Sequence, residues 1–106
     1  MNIAFIKNKV RDQMYEISAH AHQERQEEKI TIHEIEKIIL KGVILEIYSN
    51  DSRGESCLVV GKILNIPLHV VCGIRGEKLL IVTVYRPRFP VWINYKTRAK
   101  EVKSRV

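Results

Sequence analysis

The 106-residue sequence is poor in cysteine, proline and glycine, with two, three and five of them. Cys57 and Cys72 have neither the short spacing of a metal site nor the density of a disulfide scaffold, so packing alone must hold the chain together. No apolar run approaches the ~18 residues of a membrane span. Met1 to Lys9 has no apolar stretch of signal-peptide length. These absences predict a cytoplasmic protein without membrane contact. No Walker loop, Rossmann glycine fingerprint, His-Glu-x-x-His or Cys-x-x-Cys occurs, so no metal and no small-molecule cofactor is expected.

What is present describes a globular chain, 45% hydrophobic and 28% charged. Its length suits one domain whose folding buries roughly two-thirds of the unfolded surface. The net charge of +6 lies entirely after Tyr85. Residues 1–85 carry eleven basic and eleven acidic side chains. Residues 86–106 carry Arg86, Arg88, Lys96, Arg98, Lys100, Lys103 and Arg105 against Glu101 alone. A localised basic field suits a polyanion, either nucleic acid or an acidic protein. The plain alternative is a solubilising tail. The expected organisation is one domain over residues 1–95 and a basic tail, frayed in isolation, over 96–106.

Helical periodicity marks a first helix over residues 3–13, through Ile3, Ile6 and Val10. Tyr15-Glu16-Ile17 reads as an extended connector. Ser18 is a candidate N-cap for a polar helix over 19–29, where only Ala19, Ala21 and His22 are candidates to face a core. Thr31-Ile32-His33-Glu34 matches a capping box. Ile32, Ile35, Ile38 and Ile39 then predict a helix over 32–41, ended by Gly42 as a C′ residue able to take positive φ. From Val43 the pattern becomes β, with strands at 43–49, 56–64, 68–73 and 79–85, and a short edge strand near Trp92–Tyr95. Short connections make the four main strands antiparallel neighbours. The prediction is α+β, with N-terminal helices on an antiparallel sheet of about four strands. Cys57 and Cys72 fall opposite each other if that hairpin centres between Leu64 and Asn65.

Several residues carry chemistry. His20 and Arg25 flank a face of the polar helix, against a plain reading of solvated side chains. His69 sits in an apolar strand, where a polar ring needs a hydrogen-bond partner or a cleft. Thr83 and Tyr85 share one face of their strand, with Arg86 just beyond; a hydroxyl, a phenol and a guanidinium there suit a phosphate. The plain reading is a tyrosine packed at a sheet edge. Arg53 lies in the turn-rich loop Asn50–Gly54.

The stretches Tyr15-Glu-Ile-Ser-Ala-His20-Ala21, Glu24-Arg25, Asn50 to Leu58, Pro67 to Gly73, Ile81 to Tyr85 and Pro90-Val-Trp92 resemble the bacterial proteins grouped as domain of unknown function 4258 (DUF4258). That resemblance implies a fold link to the RelE-like and MqsR-like toxin ribonucleases, of RelE-like/barnase-like architecture, and a cognate antitoxin protein as partner. It also implies metal-independent cleavage of single-stranded RNA or mRNA by attack of the 2′-OH on its neighbouring phosphate. In those roles His20 and His69 would be general base and acid. Arg25, Arg53 or Arg86 would stabilise the phosphorane, and Tyr85 would orient the phosphate. Thr83, Arg88, Lys96 and Arg98 complete the expected RNA-binding set. A histidine pair departs from the Lys, Arg, Gln and Tyr used by those enzymes. The competing expectation is a non-catalytic RNA-binding or protein-interaction module of the same fold.

Overall fold

The computed structural model describes residues 1–49 and 54–99. In chain order the elements are α1 (Ile3–Arg11), β1 (Tyr15–Ile17), α2 (Ala19–Glu27), α3 (Ile32–Lys41), β2 (Val43–Tyr48), β3 (Ser56–Ile63), β4 (Ile66–Arg75), β5 (Lys78–Tyr85), β6 (Trp92–Asn94) and β7 (Thr97–Arg98). The first five strands form one sheet in the order β1-β5-β4-β3-β2, and β6 and β7 form a separate hairpin. The fold is α+β, with β2 to β5 antiparallel as the short connections predict. One strand is new. Tyr15–Ile17 is not a connector but an edge strand parallel to β5, pairing Tyr15 with Leu79 and Ile17 with Ile81. Three residues are too few to show a period, so the pattern hid it.

α3 occupies the expected 32–41, because its capping box forms. Thr31 Oγ1 accepts from the Glu34 N–H at 3.0 Å, and the Glu34 carboxylate accepts from the Thr31 N–H at 2.8 Å. Gly42 departs from expectation: its φ of −81° and ψ of 179° are extended, not left-handed. Glycine is needed there for space. A Cβ would lie 2.5 Å from the Ile38 carbonyl oxygen and 2.7 Å from that of Val60. The end of α3 therefore touches β3 backbone to backbone.

The β3–β4 turn is Leu64-Asn65, both with positive φ, one residue earlier than Asn65-Ile66-Pro67. This is the primed geometry that matches strand twist. Cys57 duly faces Cys72. Both are free and buried. Burial pushes the Cys57 thiol up to about 11 and the Cys72 thiol well above its ordinary range, so both act as small apolar core residues.

The helices bury Ile6, Val10, Ile35, Ile38 and Ile39 against one face of the sheet. On the opposite face Trp92 packs on Leu58 and Val60, so the β6–β7 hairpin covers part of it. α2 docks differently. Ala21 is its one buried residue, Ala19 is exposed and His22 half-buried. Polar ties hold it: Ser18 Oγ donates to the Val82 carbonyl at 2.8 Å and the Ser18 N–H to that of Ile81 at 2.9 Å. Lys96 to Arg98 belong to the folded hairpin rather than to a tail. Among the described residues no helix is long and apolar enough to cross a membrane.

Candidate nucleic-acid interface

Two β-bulges set the geometry of the second face. On β5 the register slips at Val82, so Ile81 and Val84 both point into the helical core, while Tyr85 pairs with His69 on the opposite face. Without that extra residue, strict alternation from Ile81 would send Tyr85 into the core. On β2 the slip at Leu45 lets Leu45 pack beside Trp92 while Glu46 reaches the hairpin.

His69 is fully buried there. Its Nε2 lies 2.5 Å from the Tyr95 carbonyl oxygen and its Nδ1 lies 3.1 Å from the Tyr85 hydroxyl. A carbonyl only accepts, so Nε2 carries the proton and Nδ1 accepts from Tyr85. The ring meets Trp92 edge-on, with centroids 4.5 Å apart. Burial lowers the His69 pKa and raises that of Tyr85. His69 is thus a neutral pin holding the hairpin on the sheet.

Arg98 supplies the second tie. Its guanidinium lies 4.5 Å over the Trp92 ring and donates twice to the Glu46 carboxylate, at 2.8 and 2.9 Å. The Tyr48 hydroxyl donates to the same carboxylate at 2.5 Å. The Arg98 hydrogen bonds hold Glu46 below the usual carboxylate range, and burial with Glu46 alongside pushes Tyr48 up to about 12.

Where β5 ends, a cavity of 350 Å³ opens among Tyr85, Arg86, Arg88, Trp92, Phe89 and Arg98. Arg88 makes a fork with Glu28 at 2.5 and 2.9 Å, which lowers the Glu28 pKa. Arg86 has no carboxylate within 4 Å among the described residues. Phe89 is 73% exposed. Guanidinium groups beside an exposed aromatic ring match what a phosphate and an unstacked base require.

The other expected residues lie elsewhere. His20 is 68% exposed on α2, with Nε2 3.3 Å from Glu24 Oε1. The same oxygen accepts from the Thr83 hydroxyl and, at 3.0 Å, from the Val84 N–H. Thr83 is thereby turned toward α2 and away from a phosphate. Arg25 Nε donates to His22 Nδ1 at 3.0 Å and its Nη1 to the Ile30 carbonyl at 3.3 Å, so it braces the end of its own helix. His20, Arg25, His69 and Tyr85 do not share one cavity: Tyr85 alone lines the cavity at the end of β5, because burial takes His69 inside and local bonds hold Arg25. Lys96 lies beside the Tyr95 ring. Arg53 lies outside the described residues, as do Lys100 to Val106. No group of three potential metal ligands occurs among the described residues. The sequence reading missed Glu46, Tyr48, Glu24 and Tyr95. The signal for Glu46 was a carboxylate inside an apolar strand, where partial burial calls for a cationic partner.

The family profile described as domain of unknown function DUF4258 matches residues 17–86. The chain belongs to the DUF4258 family. The match ends at Arg86, so the DUF4258 region contains β5 and His69 but not the β6–β7 hairpin that covers them. No curated protein and no solved structure matches the chain.

Proposed function

We propose that this DUF4258 protein is a toxin-like protein that binds single-stranded RNA at the end of β5 and works with a cognate antitoxin. The observation that carries the reading is the cavity shared by Arg86, Arg88, Arg98 and Phe89. Arginine forks match phosphate oxygens, and unpaired bases stack on exposed rings, whereas duplex bases are already stacked. Helices on one face of a sheet whose β2 to β5 are antiparallel are compatible with the RelE-like architecture that the resemblance implies. Glu28 and Glu46 already show how carboxylates engage Arg88 and Arg98, and an acidic antitoxin would use the same chemistry. The test is fluorescence anisotropy with a labelled single-stranded RNA. Arg86→Ala should weaken binding and reduce the slope of log affinity against log salt by about 0.7, the loss of one phosphate contact. Unchanged affinity and slope would overturn the reading.

A second reading, metal-independent cleavage, is favoured by the exposed imidazole of His20 on α2 beside Glu24, whose carboxylate also accepts from the Val84 N–H next to Tyr85. A carboxylate that orients an imidazole equips it as a base. Incubation of purified protein with RNA in EDTA checks this. Intact RNA, or equal cleavage by His20→Ala, would remove it.

A further inference from the structure

The cavity at the end of β5 does not stand alone. Arg88, Phe89 and Trp92 also line a second cavity of 300 Å³, which extends to Lys62 and Tyr95. Lys62 and Tyr95 in turn line a third, of 230 Å³, with Lys41 and Lys96. Each neighbouring pair shares lining residues, so the three lie side by side along the hairpin. In the third, two ammonium groups are gathered on a single ring: Lys62 Nζ lies 4.5 Å and Lys96 Nζ 5.3 Å from the Tyr95 centroid. The ring quadrupole attracts both ammonium groups, and an anion bound beside them offsets the like charge gathered there. None of Lys41, Lys62 and Lys96 has a carboxylate within 4 Å among the described residues. Lys41 ends α3, Lys62 is on β3 and Lys96 is in the β6–β7 turn, so three distant segments converge there.

We infer that the RNA-binding surface is a track with a second phosphate subsite at Lys41, Lys62 and Lys96, which takes a single-stranded RNA long enough to reach from the arginine cavity across Tyr95. This rests on the RNA-binding reading above and adds where the strand runs. The alternation along the track is guanidinium, aromatic ring, ammonium, the order in which an extended strand presents phosphates and bases. The lysines act as point charges and contribute affinity without reading sequence.

The experiment compares labelled oligouridines of four and twelve nucleotides binding to the full chain by anisotropy, over 50 to 200 mM salt. The wild type should hold the twelve-mer at least about tenfold more tightly than the four-mer, since a longer strand engages both subsites at once. The triple variant Lys41→Gln, Lys62→Gln, Lys96→Gln should bring the twelve-mer down to nearly the four-mer affinity and lower its salt slope by about 2. All three positions are exposed and glutamine keeps most of the stem, so folding is retained, and emission from the single Trp92 verifies it. If both lengths bind alike and the triple variant matches wild type, the second subsite is overturned while the arginine cavity stands. If neither oligonucleotide binds, or Arg86→Ala changes nothing, the RNA reading itself fails and the track with it.

Discussion

His69 and Tyr85 face each other across β4 and β5, with Nδ1 3.1 Å from the phenol oxygen, and the same imidazole reaches on to the Tyr95 carbonyl. One side chain thus ties the central sheet to the hairpin that carries Trp92, Lys96 and Arg98. The basic surface depends on a hairpin only a few residues long, and short hairpins are marginal unless something packs on them. His69, Trp92 and the Arg98–Glu46 fork supply that packing.

Replacing His69 by Leu should destabilise the protein by about 1–3 kcal/mol, because the Tyr95 carbonyl and Tyr85 hydroxyl lose their partner beneath Trp92. Urea denaturation followed by far-ultraviolet circular dichroism measures the cost. Trp92 is the only tryptophan, so a red shift of its emission in the native baseline reports a loosened hairpin. A variant as stable as wild type with unshifted emission would show that His69 does not pin the hairpin.

The same pair predicts a pH dependence. Burial lowers the His69 pKa from its ordinary value of 6.5. The unfolded chain therefore takes up a proton below pH 6.5 that the folded ring refuses, and stability contributed above that pH is lost as pH falls toward the folded pKa. One proton gives a slope of at most about 1.4 kcal/mol per pH unit. Glu28 and Glu46, both lowered from 4.5 by arginine partners, contribute stability that is lost only below that value. The two windows are separate. Urea midpoints at pH 7.5, 6.5 and 5.5 should fall in the wild type, and His69→Gln should flatten that decline.

Glu24 does for Val84 what β1 does for Leu79 to Ile81, since its carboxylate accepts from the N–H that the parallel strand does not cover. Glu24→Ala should cost about 1–3 kcal/mol by leaving that donor and the Thr83 hydroxyl unpaired. Hydrogen exchange at the Val84 amide should accelerate more than exchange at Val70 in the neighbouring strand. Equal protection in wild type and variant would remove this role from Glu24.

The layout of this chain was legible wherever a local signal fixed it. Thr31 and Glu34 gave the start of α3, and the Cys57–Cys72 register followed from one hairpin centre. The candidate site was legible only in part, because its geometry comes from the bulges at Leu45 and Val82. A bulge changes which face every later residue occupies, yet leaves no periodic trace in eight residues. Arg86, Arg88 and Arg98 were found from charge and do converge. Lys41 and Lys62 were hidden within residues 1–85, whose charges cancel in sequence, though neither lysine has a carboxylate within 4 Å among the described residues. Arg25 looked like a candidate catalytic residue, but its bond to His22 at i−3 is the kind of local tie that sequence spacing permits without requiring.

The contact between α3 and β3 yields the last prediction. A Cβ on Gly42 would meet two backbone carbonyl oxygens at 2.5 and 2.7 Å, and backbone at a helix–strand contact has little freedom to move. A Cβ on Gly61, next to Val60 in β3, would meet the Ile38 Cδ1 at 3.4 Å, and the Ile38 carbonyl oxygen and Gly42 Cα only at ordinary contact distances of 3.5 and 3.6 Å. Gly42→Ala should therefore destabilise by about 1–3 kcal/mol, the usual cost of forced overpacking. Gly61→Ala should stay within about 0.5–1 kcal/mol of wild type, since a side-chain tip gives way by rotating and the added methyl limits the unfolded chain. Matched urea titrations of the two variants decide it. Equal stability would mean that Gly42 owes its place to something other than the close approach of the two backbones.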